Sequence, residues 1–354
     1  MSGRQLEGRI RFVTKRWAHH STHSGYDRIV DYLGTAIEPL APSLLSRWIP
    51  ERVASSISYR AGVWGYTAAS LYSEWAAARD MVRRPRNTVY HVLYGDDTYR
   101  YLGALRRFRG HRLVVSYHVP PDDLARRLRR TEHIRRADAV VVVATNQIPY
   151  FSALCGAERV HYIPHGIDTE TFAPAPRSGS HRAGGEAPLV LFVGRHRRDF
   201  AILAEVIARV AKLAPEVRFV LVTKEAARRS IGERPNVTWL QNVTEAELIR
   251  LHREAAVALQ PMQQCTANNA ILEAMACGVP VVATDVGGAR DYVTESCAVL
   301  TPPGQAEAMV DAVLEIVRNC ELGARMGEAA RRRALELSWP AVAEQLRRLY
   351  ESIS

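Results

Sequence analysis

The sequence predicts an α/β protein built from two doubly wound domains, each with a parallel sheet. Three observations lead to this prediction. A chain of 354 residues suits two domains of ordinary size. Short apolar runs of strand length alternate with helical patterns along both halves. Between Val257 and Val293, two strand-helix pairs follow one another with almost no loop, which is typical of such sheets.

The first half contains four predicted strands, at residues 11–14, 89–94, 113–117 and 139–144. After the first strand, Gly25 lies at a strand-to-helix turn, where a glycine lets the backbone approach a ligand. A plain helix cap is the other interpretation of this glycine. The arginine-rich residues 126–136 predict a basic helix before the last of the four strands.

Residues 36–86 are rich in apolar and aromatic side chains and are interrupted by prolines. These side chains are Leu44, Trp48, Ile49, Trp64, Tyr66, Leu71, Tyr72 and Trp75. Packing into a core is the first interpretation. The second is an exposed apolar surface that accepts a lipid or docks on a membrane.

The second half opens with a strand at residues 189–193. Further strands are predicted at residues 217–223, 237–240, 257–259 and 281–284. A helix over residues 268–276 is ended by Gly278 and Pro280. Residues 175–188, rich in Gly, Ser and Pro, predict a flexible linker. The predicted domains are therefore residues 1–174 and 189–339.

The start of the helix at residues 268–276 predicts an anion site. Ala267, Asn268, Asn269 and Ala270 present backbone N–H groups at the positive end of the helix, which suits a phosphate or diphosphate. Glu273 lies about a turn and a half deeper, where a carboxylate can accept hydrogen bonds from two vicinal hydroxyls such as those of a ribose. For an isolated glutamate, a solvated surface position is the commoner case.

The residues ILEAMACGVPVVATDVGG closely resemble the nucleotide-sugar site of retaining GT-B glycosyltransferases, in particular glycosyltransferase family 4, the group 1 glycosyltransferases. The resemblance is strongest between residues 189 and 304. It implies two Rossmann-like doubly wound domains that face a central cleft. A C-terminal helix, residues 340–354, would cross back to the N-terminal domain. The donor would bind the C-terminal domain and the acceptor the N-terminal one.

The resemblance also implies an activity. A sugar would move from a nucleoside diphosphate to an acceptor hydroxyl, with retention and without a metal or other cofactor. The acceptor would be a glycolipid, a polysaccharide or a natural product of cell-envelope or secondary metabolism. Fixed positive donors would stabilise the charge that develops on the departing diphosphate, and the leaving phosphate itself would act as the base.

Roles for single residues follow from the same resemblance. His118, after a predicted strand, matches a histidine that contacts the donor sugar near the reacting carbon. Arg195 matches a diphosphate-binding arginine. Phe200 stands where a lysine is usual, so Arg198 is the candidate substitute, with a solvated surface residue as the alternative. Glu273 matches the family glutamate that binds the ribose of the donor. The other predicted donor-binding residues are Gly25, Gly194, Val243 of the base-binding loop, Cys265, Thr266, Asn268, Asn269 and Ala270.

Cys265 stands where this family usually carries a first glutamate, eight positions before Glu273. A thiol does not replace a carboxylate at neutral pH. The side chains left to recognise the sugar are Gln263, Gln264, Thr266 and Asn268. For Cys265 itself we prefer a small packing residue to a nucleophile.

Composition indicates partners and location. The net charge is +10, with arginines clustered in residues 81–136, which suits an anionic membrane surface or a solvated helix face. Nucleic acid is disfavoured, because no nucleic-acid-binding motif accompanies the arginines. Five cysteines without paired spacing indicate a reducing compartment. Since no signal-peptide core or spanning run is evident, we expect a cytoplasmic protein, peripheral on the inner membrane face.

Two other functions stay open from the sequence. One is a nucleotide-sugar epimerase on the same fold, which would release free sugar and nucleotide without an acceptor. The other is a catalytically impaired protein that only binds sugar nucleotides, because the first family glutamate is missing. No residues with metal-ligand spacing stand at a strand end, so no metal site is predicted.

Overall fold

The computed structural model describes residues 7–14, 25–37, 50–106, 108–175 and 187–354. The chain divides into two compact units, Met1–Gly166 with Trp339–Ser354, and Ile167–Ser338. Each unit is built on a six-stranded parallel sheet with helices between the strands. The predicted fold class of two doubly wound α/β domains is confirmed.

The sheet of the first unit reverses its strand order beside its first strand. The strands are β1 Ile10–Val13, β2 Thr35–Ala36, β3 Val89–Val92, β4 Arg112–Tyr117, β5 Ala139–Val142 and β6 Val160–Tyr162. Their order is β2-β1-β3-β4-β5-β6. All residues of β1, β3 and β5 are buried, as expected for a parallel sheet covered on both faces. The reversal point between β1 and β3 is where such sheets bind ligands.

The helices of the first unit are mostly short. They are α1 Val30–Leu33, α2 Glu51–Arg60, α3 Ala68–Arg83, α4 Gly95–Thr98, α5 Pro121–Arg127 and α6 Ile148–Cys155. The C-terminal helix Trp339–Ile353 also belongs to this unit, as expected. The Tyr350 hydroxyl of that helix lies 2.6 Å from Nδ1 of the buried His91.

The basic helix predicted at residues 126–136 is wrong. Helix α5 ends at Arg127, and a separate 3-10 turn covers Ile134–Arg136. The chain leaves the helix because Leu128 forms an antiparallel bridge with Val63. The N–H of Arg130 then donates to the carbonyl of Gly62 at 3.2 Å. Tertiary pairing thus overrides the helical propensity of the arginines.

In the aromatic region at residues 36–86, some side chains are buried and others are exposed, so each interpretation holds for part of it. Tyr66 and Tyr72 are buried in the core of the first unit, which agrees with packing. Trp64 is 65% exposed and Trp75 38%, which agrees with a surface. Leu71 is half-buried. Leu44, Trp48 and Ile49 lie outside the described residues.

The sheet of the second unit has the strand order of a dinucleotide-binding domain. Its strands are β7 Leu189–Val193, β8 Arg218–Val222, β9 Val237–Leu240, β10 Val257–Gln260, β11 Val281–Thr284 and β12 Ala298–Thr301. The order β12-β11-β10-β7-β8-β9 reverses between β7 and β10. The loops after these two strands are joined by a hydrogen bond from Asp199 N–H to Pro261 O, at 3.0 Å.

Side-chain caps start the main helices of the second unit. The helices are α7 Phe200–Leu213, α8 Glu225–Ile231, α9 Glu245–Glu254, α10 Asn269–Ala276, α11 Ala289–Tyr292, α12 Ala306–Arg318 and α13 Cys320–Glu336. Asp199 caps α7, Thr244 caps α9 and Asn268 caps α10. The predicted helix at residues 268–276 is therefore confirmed, with its first residue as the cap.

The two units divide earlier than the predicted boundary at residue 174. Residues 167–174 belong to the second unit. The Ile167 N–H donates to Leu337 O at 3.0 Å, and Phe172 is fully buried in that unit's core. Of the predicted linker at residues 175–188, residues 176–186 lie outside the described residues. Within the described part of the chain, no helix is both long and apolar enough to span a bilayer.

Candidate functional site

The candidate site of the second unit lies at the carboxyl ends of β7 and β10, where the strand order reverses. The chain leaves β7 at Gly194, whose φ of 143° lies in a region that favours glycine. A Cβ at this position would overlap the guanidinium of Arg198. Gly194 therefore allows the arginine side chain to lie directly against the backbone.

Arg198 is held at the start of α10. Its Nη2 donates to Asn268 Oδ1 at 3.1 Å and to Val193 O at 3.3 Å. Its Nε is buried and has no hydrogen-bond partner among the described residues. Burial lowers the pKa of Arg198 from 12.5 to about 10, so the side chain stays charged at neutral pH. The alternative of a solvated surface residue is wrong, because the guanidinium is fixed against Gly194.

Asn268 changes the set of backbone donors at the helix start. Its Oδ1 accepts the N–H of Ala270 at 3.1 Å. The expectation that Ala270 offers this N–H to an anion is therefore wrong. Asn268 is itself buried, whereas Asn269 is half-buried. The positive end of α10 thus combines its remaining N–H groups with the cation of Arg198.

Glu273 is buried, with 5% of its surface exposed, so it does not occupy the solvated surface position that is commoner for an isolated glutamate. Helix α10 packs its whole length from Ala270 to Ala276 into the unit, which leaves this side chain inside. Its Oε2 lies 3.6 Å from Nε2 of His252, a buried residue of α9. A buried carboxylate needs partners, since burying an unpaired charge is costly.

Cys265 is a packing residue, as preferred from the sequence. Its side chain is part of the core beneath α10, and its Sγ donates to Val286 O at 3.2 Å. Burial raises the pKa of this thiol to about 11, so it is protonated at neutral pH. Among the side chains left to recognise a sugar, Thr266 is buried, Gln264 is half-buried and Gln263 is exposed.

Arg195 meets the predicted base-binding loop. It is exposed, and its Nη2 donates to Asn242 Oδ1 at 3.3 Å. Asn242 has a left-handed φ of 52°, and the following Val243 packs on the core beside β7. Phe200, at the usual lysine position, lies against Phe192 with ring centroids 6.0 Å apart. Its ring therefore belongs to the core.

In the first unit, His118 and Gly25 lie near each other at the reversal point of the sheet. His118 Nε2 is 2.7 Å from Leu93 O, so Nε2 carries the proton. The Tyr26 ring lies 4.6 Å from the His118 ring. Gly25, which precedes Tyr26, has a φ of 122°. The structure thus brings these two predicted residues to one end of the first sheet.

Sequence reasoning missed Asp96 and His252. Asp96 accepts the His118 N–H at 2.8 Å and the Val119 N–H at 3.2 Å. Burial raises the pKa of Asp96 from 3.8 to about 7, against the effect of these hydrogen bonds. The position of Asp96 shortly after β3 could have indicated a site residue, since ligands bind at the carboxyl edge of such a sheet. His252 gave no signal, because its partner is on another helix.

The comparisons with known proteins agree with this geometry. Residues 187–319 match the family model described as Glycosyl transferases group 1. The alpha-maltose-1-phosphate synthase of Mycolicibacterium smegmatis is 28% identical over 333 residues, 85% of this chain and 79% of that protein. The phosphatidyl-myo-inositol mannosyltransferase of Mycobacterium tuberculosis is 28% identical over 205 residues, 54% of each. The chain thus matches only about half the length of that relative.

A solved structure shares the fold. HepE of Anabaena, in complex with UDP and glucose, has a TM-score of 0.67 and 16% identity, covering 97% of this chain and 99% of that one. Likeness at this identity shows the fold alone. Together with the family match, it confirms the resemblance to group 1 glycosyltransferases of the GT-B fold.

Proposed function

We propose that this chain is a group 1 glycosyltransferase that transfers a sugar from a nucleoside-diphosphate sugar to an acceptor hydroxyl with retention at the anomeric carbon. The contact between Arg198 and Asn268 carries the proposal. It holds a cation at the positive end of α10, about one turn before Glu273. A diphosphate followed by a ribose suits this order of groups.

The departing diphosphate gains negative charge as the bond to the anomeric carbon breaks. Arg198 is charged, and its buried Nε–H has no partner among the described residues, so it is a donor already in place. Donors fixed before the reaction stabilise the transition state without reorganisation. Arg195 would add a second, more exposed cation from the loop beside Asn242. These cations are why we propose a metal-independent transfer.

Glu273 would bind the ribose of the donor. Its carboxylate is buried on α10, and among the described residues the ion-pair partner of its Oε2 is the His252 imidazole, at 3.6 Å. Two ribose hydroxyls would donate hydrogen bonds of the kind that a buried carboxylate needs. Nearby Cys265 is protonated and packed, which supports a transfer without a thiolate nucleophile. The leaving phosphate would then take the acceptor proton.

A product assay tests the activity. The purified chain is first screened by thermal shift against UDP-, GDP-, ADP- and dTDP-sugars, because a bound donor raises the melting temperature. Donors that bind are then incubated with candidate acceptors, and the anomeric configuration of the product is read by NMR. An epimerase would release free sugar and nucleotide without an acceptor, and a binding protein would give no turnover. No shift with any donor would contradict the proposal.

We further propose a lipid-linked acceptor and peripheral binding to an anionic membrane. The support is a surface of the first unit, the Trp64 surface, formed by Tyr59, Trp64, Arg127, Arg129 and Arg130. Tyr59 is 91% exposed and Trp64 65%. One relative is named for a phosphatidyl-myo-inositol acceptor, which agrees with this class.

The Trp64 surface combines aromatic rings with positive charge. The backbone N–H of Trp64 donates to the backbone carbonyl of Arg127 at 2.8 Å. The Arg127 guanidinium lies 4.6 Å from the centroid of the Trp64 ring. Arg129 and Arg130 are exposed, and no carboxylate of the described residues forms an ion pair with them. Tryptophan and tyrosine favour the membrane interface, and each arginine near an anionic surface contributes about 1 kcal/mol.

Cosedimentation with vesicles tests the membrane proposal. Wild-type protein is expected to pellet with phosphatidylglycerol vesicles at low salt and to be released at raised salt. Neither Trp64→Ser nor the pair Arg129→Glu with Arg130→Glu should pellet well. Arg229→Glu, an exposed arginine of the second unit, is the matched control and should behave as wild type. Pelleting that is absent, or equal with neutral vesicles, would turn the search to a soluble acceptor.

A further inference from the structure

The His252 side chain is buried and makes no hydrogen bond within the described part of the chain. It lies on α9 with no exposed surface, and among the described residues neither ring nitrogen has a hydrogen-bond partner. The ring edge of Phe172 packs against it, with centroids 6.4 Å apart. Buried polar groups are nearly always paired, because each unpaired one costs free energy. An imidazole in this state points to a partner that is engaged only at another step.

Glu273 is that partner. Its Oε2 lies 3.6 Å from His252 Nε2, a few tenths of an ångström beyond an N–H···O hydrogen bond. A carboxylate only accepts hydrogen bonds, so Nε2 must be the donor if the two groups approach. A small change in the Glu273 side chain is sufficient to form the bond. Both residues belong to the second unit, on neighbouring helices α9 and α10.

We propose that His252 is a positioning residue for Glu273. Its Nε2–H bonds Oε2 when a nucleotide binds and fixes the carboxylate in the orientation that accepts the ribose hydroxyls. The inference rests on the ribose role proposed for Glu273 and adds the residue that orients it. Groups that bind a ligand gain precision when a second residue fixes their rotamer, since less freedom is lost on binding.

Ribose discrimination tests the proposal. The probes are UDP, GDP and ADP with their 2′-deoxy analogues, and titration calorimetry gives the two dissociation constants for the best-binding base. His252→Phe keeps a ring but removes the donor, and it should weaken ribonucleotide binding about tenfold. The 2′-deoxynucleotide offers Glu273 only its 3′-hydroxyl, so its binding should weaken by less. His252→Gln, whose amide N–H lies near the place of Nε2, should restore the discrimination. His252→Asn, with its amide near Nδ1, should not.

Controls separate positioning from packing. Leu251→Ala removes a buried side chain from the same helix, so it should lower the melting temperature without changing ribose discrimination. Equal losses for both nucleotides in His252→Phe, or none, would overturn the proposal. If His252→Phe does not fold, the contrast between the Gln and Asn variants decides. If Glu273→Gln still discriminates between ribonucleotide and deoxynucleotide, the ribose assignment itself is overturned. If Glu273→Gln loses this discrimination but the His252 variants keep it, only the positioning role of His252 is overturned.

Discussion

The guanidinium of Arg198 lies over Gly194 and donates from Nη2 to the side-chain oxygen of Asn268 at 3.1 Å. Asn268 Oδ1 also accepts the Ala270 N–H, so one oxygen joins the loop after β7 to the cap of α10. The charge of the site and the start of its helix therefore depend on one contact. A substitution in this loop should therefore disturb the start of α10, and a substitution at the start of α10 should disturb the loop.

Replacing Arg198 should impair catalysis. In Arg198→Ala we expect kcat/KM to fall about 100-fold, because a fixed donor to the leaving diphosphate is lost. Arg198→Lys should fall less, since it keeps the charge but not the planar set of donors. Steady-state kinetics with the donor found by thermal shift measure both. Arg195→Ala, which removes the more exposed cation, is expected to lower turnover as well. If Arg198→Ala has wild-type kinetics, Arg198 is not the second cation that binds the diphosphate, and Lys224 is the next candidate.

Gly194→Ala should reduce both stability and donor affinity. The left-handed φ costs a residue with a Cβ roughly 1 to 3 kcal/mol, and the new methyl group would displace Arg198. Gly304→Ala is the matched control, since Gly304 has a φ of 77° and open space around its Cβ. It should lose stability but keep donor affinity. Denaturant unfolding and calorimetry measure the two effects, and equal donor affinity in both variants would contradict the role of Gly194.

Glu273→Gln should weaken nucleotide binding while the fold persists. The amide has the shape of the carboxyl group, but it loses the charge that strengthens hydrogen bonds from a ribose. Loss of one such bond weakens affinity about tenfold. The dissociation constant for the nucleotide is the measurement, with the melting temperature as a check on folding. An unchanged constant would remove Glu273 from the site.

Asp96 should make stability depend on pH. Folded Asp96 holds its proton up to about pH 7, whereas the unfolded chain releases it near 3.8, so folding takes up a proton between these values. The free energy of unfolding should therefore fall as pH rises through this window, by on the order of 4 kcal/mol. Asp96→Asn should flatten the dependence. Denaturant unfolding between pH 3.5 and 8 measures it, and identical slopes in the two proteins would contradict this assignment.

The fold and the position of the candidate site could be predicted from local sequence. Strands such as Leu189–Val193 and the helix Asn269–Ala276 follow from apolar periodicity, and Asn268 is recognisable as a cap. The resemblance over residues 189–304 lies entirely within the stretch that matches the family model. Short-range patterns determine these features, because each depends on residues within a few positions of one another.

The tertiary structure decided which of those side chains are exposed and what they contact. The sequence could not place Arg198 over Gly194, bury Glu273 against His252 or end α5 at Arg127, because the partners lie on other elements. By itself, the sequence determined two doubly wound domains and the region of the candidate site. Burial and charge within that site depend on contacts between distant segments, which form only when the sheet brings the ends of β7 and β10 together.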